Sequence, residues 1–264
     1  MGILNLTADS FSDGGELLRD SKVDLAAVVD RAARMVDAGA AFLDVGAEST
    51  RPGAKGVTSE QELARVVPVV ELLVQRFDVV VSVDTSNPAV ITAAASAGAG
   101  LINDVRALTT HGALDAVVAA SLPVCLMHMQ GEPATMQQAP SYHDVVGEVA
   151  AFLRKRINAC MSAGIAKERL LIDPGFGFGK SLEHNLQLLA QLKALRGLQV
   201  PLLVGLSRKR MLGALTGKPE REREAAGIAA ALLAIHNGAC IVRTHDVAGM
   251  VDAVKVWQAV ATYH

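Results

Sequence analysis

The sequence predicts an α/β fold in a single domain, a (β/α)₈ TIM barrel. Three observations predict it. The 264 residues suit one large domain, and no composition shift or linker divides them. Apolar residues make up 51 % but aromatics only 3 %, so the core is aliphatic, which suits parallel strands buried on both faces. Short apolar runs alternate with helical patterns along the whole chain, and that alternation makes a parallel sheet. The competing arrangement is an open doubly wound sheet, which binds its ligand at one switch point. It gives no reason for the polar residue that closes nearly every apolar run here.

The units follow in order. Residues 2–6 read as a strand, with a polar loop over 7–15 and a helix over 25–38 stopped by Gly39. A strand at 41–45 leads into a loop, 46–56, that carries Glu48, Ser49, Thr50, Arg51 and Pro52. Ser59 with Glu62 forms a capping box for the helix that follows. The strand at 79–83 runs into Asp84, and Pro88 opens the next helix in its first turn. A short strand at 101–102 ends at Asn103 and Asp104, before a helix over 112–120. The strand at 123–127 ends at His128, and a long helix over 144–163 comes after a polar loop. The strand at 170–173 ends in the run Asp173-Pro174-Gly175-Phe176-Gly177-Phe178-Gly179-Lys180, then a helix over 182–195. The strand at 201–205 precedes Ser207, Arg208 and Lys209, a helical turn and a helix to 236. The last strand, 240–243, precedes His245 and a helix over 247–260.

The net charge of −2 gives no global basic field for nucleic acid or a membrane surface. The longest apolar-rich run, 225–235, is too short to span a bilayer. The first residues lack the basic start of a signal peptide. Cys125, Cys160 and Cys240 are widely spaced without a CxxC pair, so they read as buried free thiols in a reducing, cytoplasmic protein.

In a barrel the C-terminal strand ends converge on one mouth. Here they bring Asn5, Asp44, Asp84, Asn103, His128, Asp173, Ser207 with Lys209, and Arg243 with His245. One such residue is ordinary, since it can cap a helix or face water. The whole set at one mouth calls for a ligand. Asp44 lies inside its strand pattern and either joins the set or orients the second loop. Asp84, Asn103 and Asp173 offer acceptors and an amide, matching a flat heterocycle with several N–H donors. Lys209, Arg243 and His245 offer cationic donors that match phosphate or pyrophosphate. Arg51 would suit an anionic second substrate. Asn5 could hold Mg²⁺, which keeps most of its waters and needs few protein ligands. The glycine-rich run is similar to a P-loop, but Pro174 stands where that motif needs glycine. No GxGxxG follows the first strand, no metal-ligand spacing links the histidines, and no G-x-S-x-G elbow occurs.

These residues resemble the dihydropteroate synthases. The segment MGILNLTADSFSDGG at 1–15 is similar to the family's first signature, and DVGAESTRPG at 44–53 to its second. SVDT at 82–85, IND at 102–104, HMQG at 128–131, DPGFGFGK at 173–180, SRK at 207–209 and RTHD at 243–246 are similar to family segments in the same order. The resemblance covers essentially the whole chain. It implies a transferase of folate biosynthesis that joins (7,8-dihydropterin-6-yl)methyl diphosphate to p-aminobenzoate and releases pyrophosphate. It also implies a pterin-binding barrel, Mg²⁺, a homodimer and a sulfonamide target.

Carried over by motif, Asp84, Asn103, Met127, Asp173, Phe178, Gly205 and Lys209 form the pterin pocket. Asn5, Thr50, Arg243, Thr244 and His245 take the diphosphate, with Mg²⁺ on Asn5. Phe11, Thr50, Arg51, Pro52, Phe178, Ser207 and Lys209 shape the p-aminobenzoate site. Asp9, Phe11 and Asp13 sit on the loop that closes over the reaction. Asp84, Asp173, Lys209, Arg243 and His245 form the catalytic set. Lys180 drops out of the chemistry, and its glycines serve to bring Phe178 over the pocket. Ala8 stands where proline is usual and should loosen the first loop. Ala47 stands where glycine is usual and should alter the second loop's path. The chain starts almost at its first strand, so the opposite mouth of the barrel should be less covered.

No Ser/Cys–His nucleophile stands out in the sequence. The aniline of p-aminobenzoate is already nucleophilic, so the difficult step is loss of pyrophosphate, and an SN1-like path is expected. Two other readings compete. A methyltetrahydrofolate-dependent methyltransferase on a related barrel would lack the SFSDGG and STRPG loops and the Lys209/Arg243 pair. A non-catalytic pterin binder would keep the pocket without turnover.

Overall fold

The computed structural model describes residues 1–7, 17–19, 22–48, 56–133 and 135–263. Strand β1 (Gly2–Asn5) is followed by a small antiparallel hairpin, β2 (Leu18–Arg19) with β3 (Lys22–Val23), and helix α1 (Leu25–Asp37). Then come β4 (Phe42–Gly46), α2 (Ser59–Arg76), β5 (Val80–Asp84), α3 (Pro88–Ser96), β6 (Leu101–Asp104), α4 (Ala113–Ala120) and β7 (Val124–Met127). The chain continues through α5 (Val145–Ser162), β8 (Leu170–Asp173), α6 (Leu182–Ala190), β9 (Leu203–Gly205), α7 (Arg210–Thr216), α8 (Glu224–His236), β10 (Ile241–Arg243) and α9 (Val247–Ala261).

Strands β1, β4, β5, β6, β7 and β8 pair in that order, all parallel. Strand β9 pairs with β10, also in parallel. Single bridges complete the circuit: Ile172 to Leu202 joins β8 to the start of β9, and Gly2 to Thr244 joins β1 to the end of β10. The result is the expected (β/α)₈ barrel, with α7 as an added turn and the hairpin β2–β3 inserted before α1. The strands are short, mostly apolar runs such as Val81-Ser82-Val83, buried between the barrel interior and the outer helices.

Register sets the mouth. Asn5 faces Gly46, Gly46 faces Asp84, and Asp84 faces Asn103, so these four positions form one row across β1, β4, β5 and β6. Gly46 leaves room in that row, because a Cβ there would lie 3.2 Å from the Cβ of Asp84. On the far side Arg243 faces Gly205 and Met127 faces Asp173.

Several helix starts carry side-chain caps. Asp24, Asn87, Asp144 and Ser181 each accept a backbone N–H in the first turn of the helix that follows. The capping box of α2 is one residue earlier than expected, with Thr58 and Gln61 in place of Ser59 and Glu62. Glu62 turns inward, where it is buried and accepts from the Thr85 hydroxyl at 2.6 Å. The helix expected over 182–195 breaks at Gln191 into a 3₁₀ stretch, Leu192–Leu198. Cys125 and Cys160 are buried free thiols as expected, whereas Cys240 is exposed. No helix among the described residues is long and apolar enough to cross a membrane.

Candidate active site

A cleft of about 1000 Å³ opens at the C-terminal ends of the strands. Asn5, Asp84, Asn103, Met127, Asp173, Phe178, Gly205, Ser207, Lys209, Arg243 and His245 all line it. Thr244 does not. Its hydroxyl is buried and exchanges hydrogen bonds with the backbone of Asp246 at 3.2 Å, donating to the carbonyl and accepting from the N–H. That places it at the start of α9, because successive side chains of a strand point to opposite faces. Asp9, Phe11, Asp13, Thr50, Arg51 and Pro52 lie outside the described residues.

The floor of the cleft is a network centred on Asp44, which is fully buried. Asp44 accepts from Ser82 Oγ at 2.5 Å, from Asn103 Nδ2 at 3.3 Å and from Arg243 Nε at 2.5 Å. Arg243 reaches on to Asp84, with Nη2 3.1 Å from Oδ2. Asp44 therefore joins the set at the mouth by orienting Asn103 and Arg243. Burial pushes the carboxyl of Asp84 up to about 7, against the pull of Arg243 and with a further push from Asp44. Asp173 is also raised by burial, opposed by the N–H of Gly175, 2.7 Å from its Oδ1, and by the nearby cations.

The cationic side is carried by the ends of β9 and β10. Lys209 Nζ lies 4.2 Å from the centre of the Phe178 ring, a cation–π contact. Arg208 holds a left-handed φ of 59° between Ser207 and Lys209. Arg223 braces that turn from below, donating to the carbonyls of Arg208 at 3.2 Å and Lys218 at 2.9 Å. Ser207 Oγ stands 3.0 Å from His245 Nδ1 and accepts the His245 backbone N–H at 3.3 Å.

A Ser–His contact is thus present, contrary to the expectation that none would be found. Its arrangement suits orientation. The hydroxyl also accepts the His245 backbone N–H, so Ser207 holds the ring in place whichever partner donates across the 3.0 Å contact.

A profile of the pterin binding enzyme family matches residues 1–245. The chain is 53 % identical over 259 residues to a dihydropteroate synthase of Escherichia coli strain K12, covering 98 % of this chain and 90 % of that one. The chain belongs to the dihydropteroate synthases. A Yersinia pestis dihydropteroate synthase solved with a sulfonamide drug superposes with a TM-score of 0.96 at 52 % identity, over 100 % of this chain and 94 % of that one. A Xanthomonas albilineans dihydropteroate synthase solved with 7,8-dihydropteroate superposes with a TM-score of 0.87 at 52 % identity, over 99 % and 92 %. The structure of the Xanthomonas enzyme with 4-aminobenzoic acid gives 0.90 at 54 %, again over 99 % and 92 %. The activity is accordingly that of a folate-synthesis transferase.

Within this dihydropteroate synthase fold, some residues that the sequence did not single out support the cleft, and Gln137 and Asn185 also line it. Ser82 fixes Asp44. Gln137 donates to the Gly177 carbonyl, and Asn185 Oδ1 accepts the Gly177 N–H at 2.7 Å. Ser82 acts on a carboxylate 38 residues away and Gln137 on a carbonyl 40 residues away, so no local pattern marks these contacts. Ala47 is fully buried, so the usual glycine is replaced without exposing the loop's first residue.

Proposed function

We propose that this cleft joins (7,8-dihydropterin-6-yl)methyl diphosphate to p-aminobenzoate through an SN1-like departure of pyrophosphate. The observation that carries the reading is the distribution of charge. Acceptors Asp84, Asn103 and Asp173 and the cationic donors Arg243, His245 and Lys209 line one cavity, with Arg243 paired to Asp84 at 3.1 Å. Asp84 and Asp173 hold the pterin's N–H groups and stabilise positive charge that develops on the ring system. Arg243, fixed by Asp44, and His245, oriented by Ser207, receive the departing diphosphate. Lys209 and Phe178 stand at the junction, where the aniline approaches. Thr50, Arg51 and Pro52 complete the p-aminobenzoate site, with Asp9, Phe11 and Asp13 closing over it.

The donor set fits Mg²⁺. Asn5 offers one neutral oxygen at the cleft, and no group of three or more His, Cys, Asp or Glu among the described residues could hold a metal. Such a site suits an ion that keeps its waters and shares substrate oxygens. Bound there, Mg²⁺ would neutralise diphosphate charge.

The enzyme works as a cytoplasmic homodimer. Leu215 on α7, Leu233 on α8 and Val256 on α9 are large apolar side chains more than half exposed, and a second copy would cover them. Sedimentation at micromolar concentration should give the dimer mass, and a monomer would overturn this. The competing methyltransferase reading is disfavoured by the 53 % identity to a dihydropteroate synthase.

The test of the reaction is pyrophosphate release measured with and without p-aminobenzoate. Release coupled to dihydropteroate formation is expected, with cleavage of the diphosphate preceding amine attack. A rate of C–O cleavage that tracks the nucleophilicity of substituted anilines would exclude the SN1-like path. Pterin binding without any release would leave a binding protein.

A further inference from the structure

Lys180 closes the glycine-rich run, and the chemistry above leaves it unused. It is 2 % exposed, an unusual position for lysine. Its Nζ has three partners: His128 Nδ1 at 2.9 Å, the Gly175 carbonyl at 2.9 Å and the Phe178 carbonyl at 3.1 Å. An ammonium carries three N–H donors, and three acceptors face it. A buried charge is tolerated when it is hydrogen-bonded in this way. Burial draws the pKa of Lys180 down to about 7, with Asp173 opposing and Lys209 adding to the fall.

Two of the acceptors belong to one turn. The Phe178 N–H donates to the Gly175 carbonyl at 3.1 Å, which closes residues 175–178 on themselves. Inside the turn Phe176 is 1 % exposed and faces the core. Outside it Phe178 faces the cleft and meets Lys209. Gly177 makes that meeting possible, because a Cβ there would lie 3.2 Å from Lys209 Cδ. The carbonyls of the turn thus point in toward Lys180, and its ring points out toward Lys209.

We propose that Lys180 is a positioning residue: its ammonium grips the 175–178 turn by both carbonyls, with His128 as third acceptor, and so fixes where Phe178 and Lys209 meet the amine substrate. The proposal rests on the transferase reading of the cleft. It places the effect of Lys180 on the p-aminobenzoate side. Asp84 and Asn103 hang on other strands and do not depend on the turn.

Three measurements test it. In Lys180→Met the KM for p-aminobenzoate should rise by about tenfold or more, the scale of misplacing a substrate-contacting group. The dissociation constant of the pterin substrate should change clearly less, since Asp84 and Asn103 are untouched and only Asp173, which accepts the Gly175 N–H, meets the turn. Equal losses on both substrates, or a change in melting temperature alone, would overturn the proposal. A cycle with Phe178→Leu asks whether Lys180 acts through the ring: in that background Lys180→Met should change the KM by less than about twofold, and multiplicative effects would overturn it. The third uses the unaltered enzyme and so survives a variant that fails to fold. Nitrogen-15 NMR of His128 below neutral pH should show Nδ1 without a proton and Nε2 with one; a proton on Nδ1 would overturn the ammonium clamp. If the unaltered enzyme releases no pyrophosphate with p-aminobenzoate, the transferase reading fails, while the NMR still judges the clamp.

Discussion

Arg243 lies between two carboxylates, and the two contacts differ in kind. Asp44 is fully buried and is itself held by Ser82 and Asn103, so that contact is permanent. Asp84 is one-fifth exposed at the cleft, so a pterin held there as proposed would compete with Arg243. Pterin binding would then turn one edge of the guanidinium toward the diphosphate. Asp44→Asn removes the charge from the permanent contact. Breaking a buried pair costs about 3–5 kcal/mol. Because Arg243 is partly exposed, a loss near the lower end is expected in urea denaturation, with weaker affinity for the diphosphate substrate than for free pterin. Unchanged stability and unchanged diphosphate affinity would show that Asp44 does not hold Arg243. The pH dependence lives at the same residues. Burial raises Asp84 to about 7 against Arg243, so its carboxylate fraction grows as pH climbs through that value. Free-pterin affinity, followed by calorimetry, should rise from about pH 5.5 to about pH 8, and Asp84→Asn should flatten the rise. For stability the sign is opposite: the folded state keeps this proton where the unfolded chain has lost it, so this group's contribution falls as pH rises between its ordinary range and 7. A flat binding profile in the unaltered enzyme would count against Asp84 as an acceptor.

The element that carries most chemistry is β8 with its turn into α6. Gly175 has φ 68°, and a Cβ there would run into the carbonyl oxygen of His128. Gly217, after α7, has nearly the same φ, 69°, with nothing within 4 Å of an added Cβ. Gly217→Ala should therefore cost only the left-handed backbone term, about 1–2 kcal/mol. Gly175→Ala should cost clearly more in thermal melts and should also weaken p-aminobenzoate binding, as Phe178 shifts. Equal costs at the two sites would mean that the turn can move away from His128. This element also shows what a sequence makes legible. The apolar run, the carboxylate at its end and the glycines all read out, because strand, mouth and tight turn each impose local residue types. The partner of Lys180 does not, since His128 is 52 residues away and no periodicity links them. Asp44 was ambiguous for the same reason: its partners Ser82, Asn103 and Arg243 lie on three other strands. The α2 cap is ambiguous in the sequence because Thr58/Gln61 and Ser59/Glu62 both satisfy the capping-box pattern. The choice falls to the tertiary contact of Glu62 with Thr85. The β2–β3 hairpin has two residues per strand, too few to show alternation.

At the scale of the whole barrel, the wall is unevenly tied. Strands β4 to β8 pair through three to five residues with each neighbour. Strands β9 and β10 pair with each other through three, but join the rest of the ring by one bridge on either side, with the Met1 ammonium on the Val242 carbonyl and Arg243 on Asp44 as further ties. That two-strand panel carries Gly205, Ser207, Lys209, Arg243 and His245, whereas Asp84, Asn103 and Asp173 hang on the other part of the ring. A ligand that spans the cleft therefore bridges two parts of one wall. Regions with fewer cross-links open at lower free energy than the global unfolding, and a ligand that binds only the closed form raises that opening energy. Native-state hydrogen exchange should accordingly show Leu203, Val204, Ile241 and Val242 exchanging faster than Val81, Val83, Ile102 and Leu126 in the free enzyme. Dihydropteroate, which would reach both halves, should slow the first group more than the second. Free p-aminobenzoate, proposed to sit at the junction beside Lys209, should leave most of the difference in place. Uniform protection across the ring in the free enzyme would mean that the single bridges and the packing of α7, α8 and α9 already hold the panel as firmly as the paired strands, and the site would then be rigid before either substrate arrives.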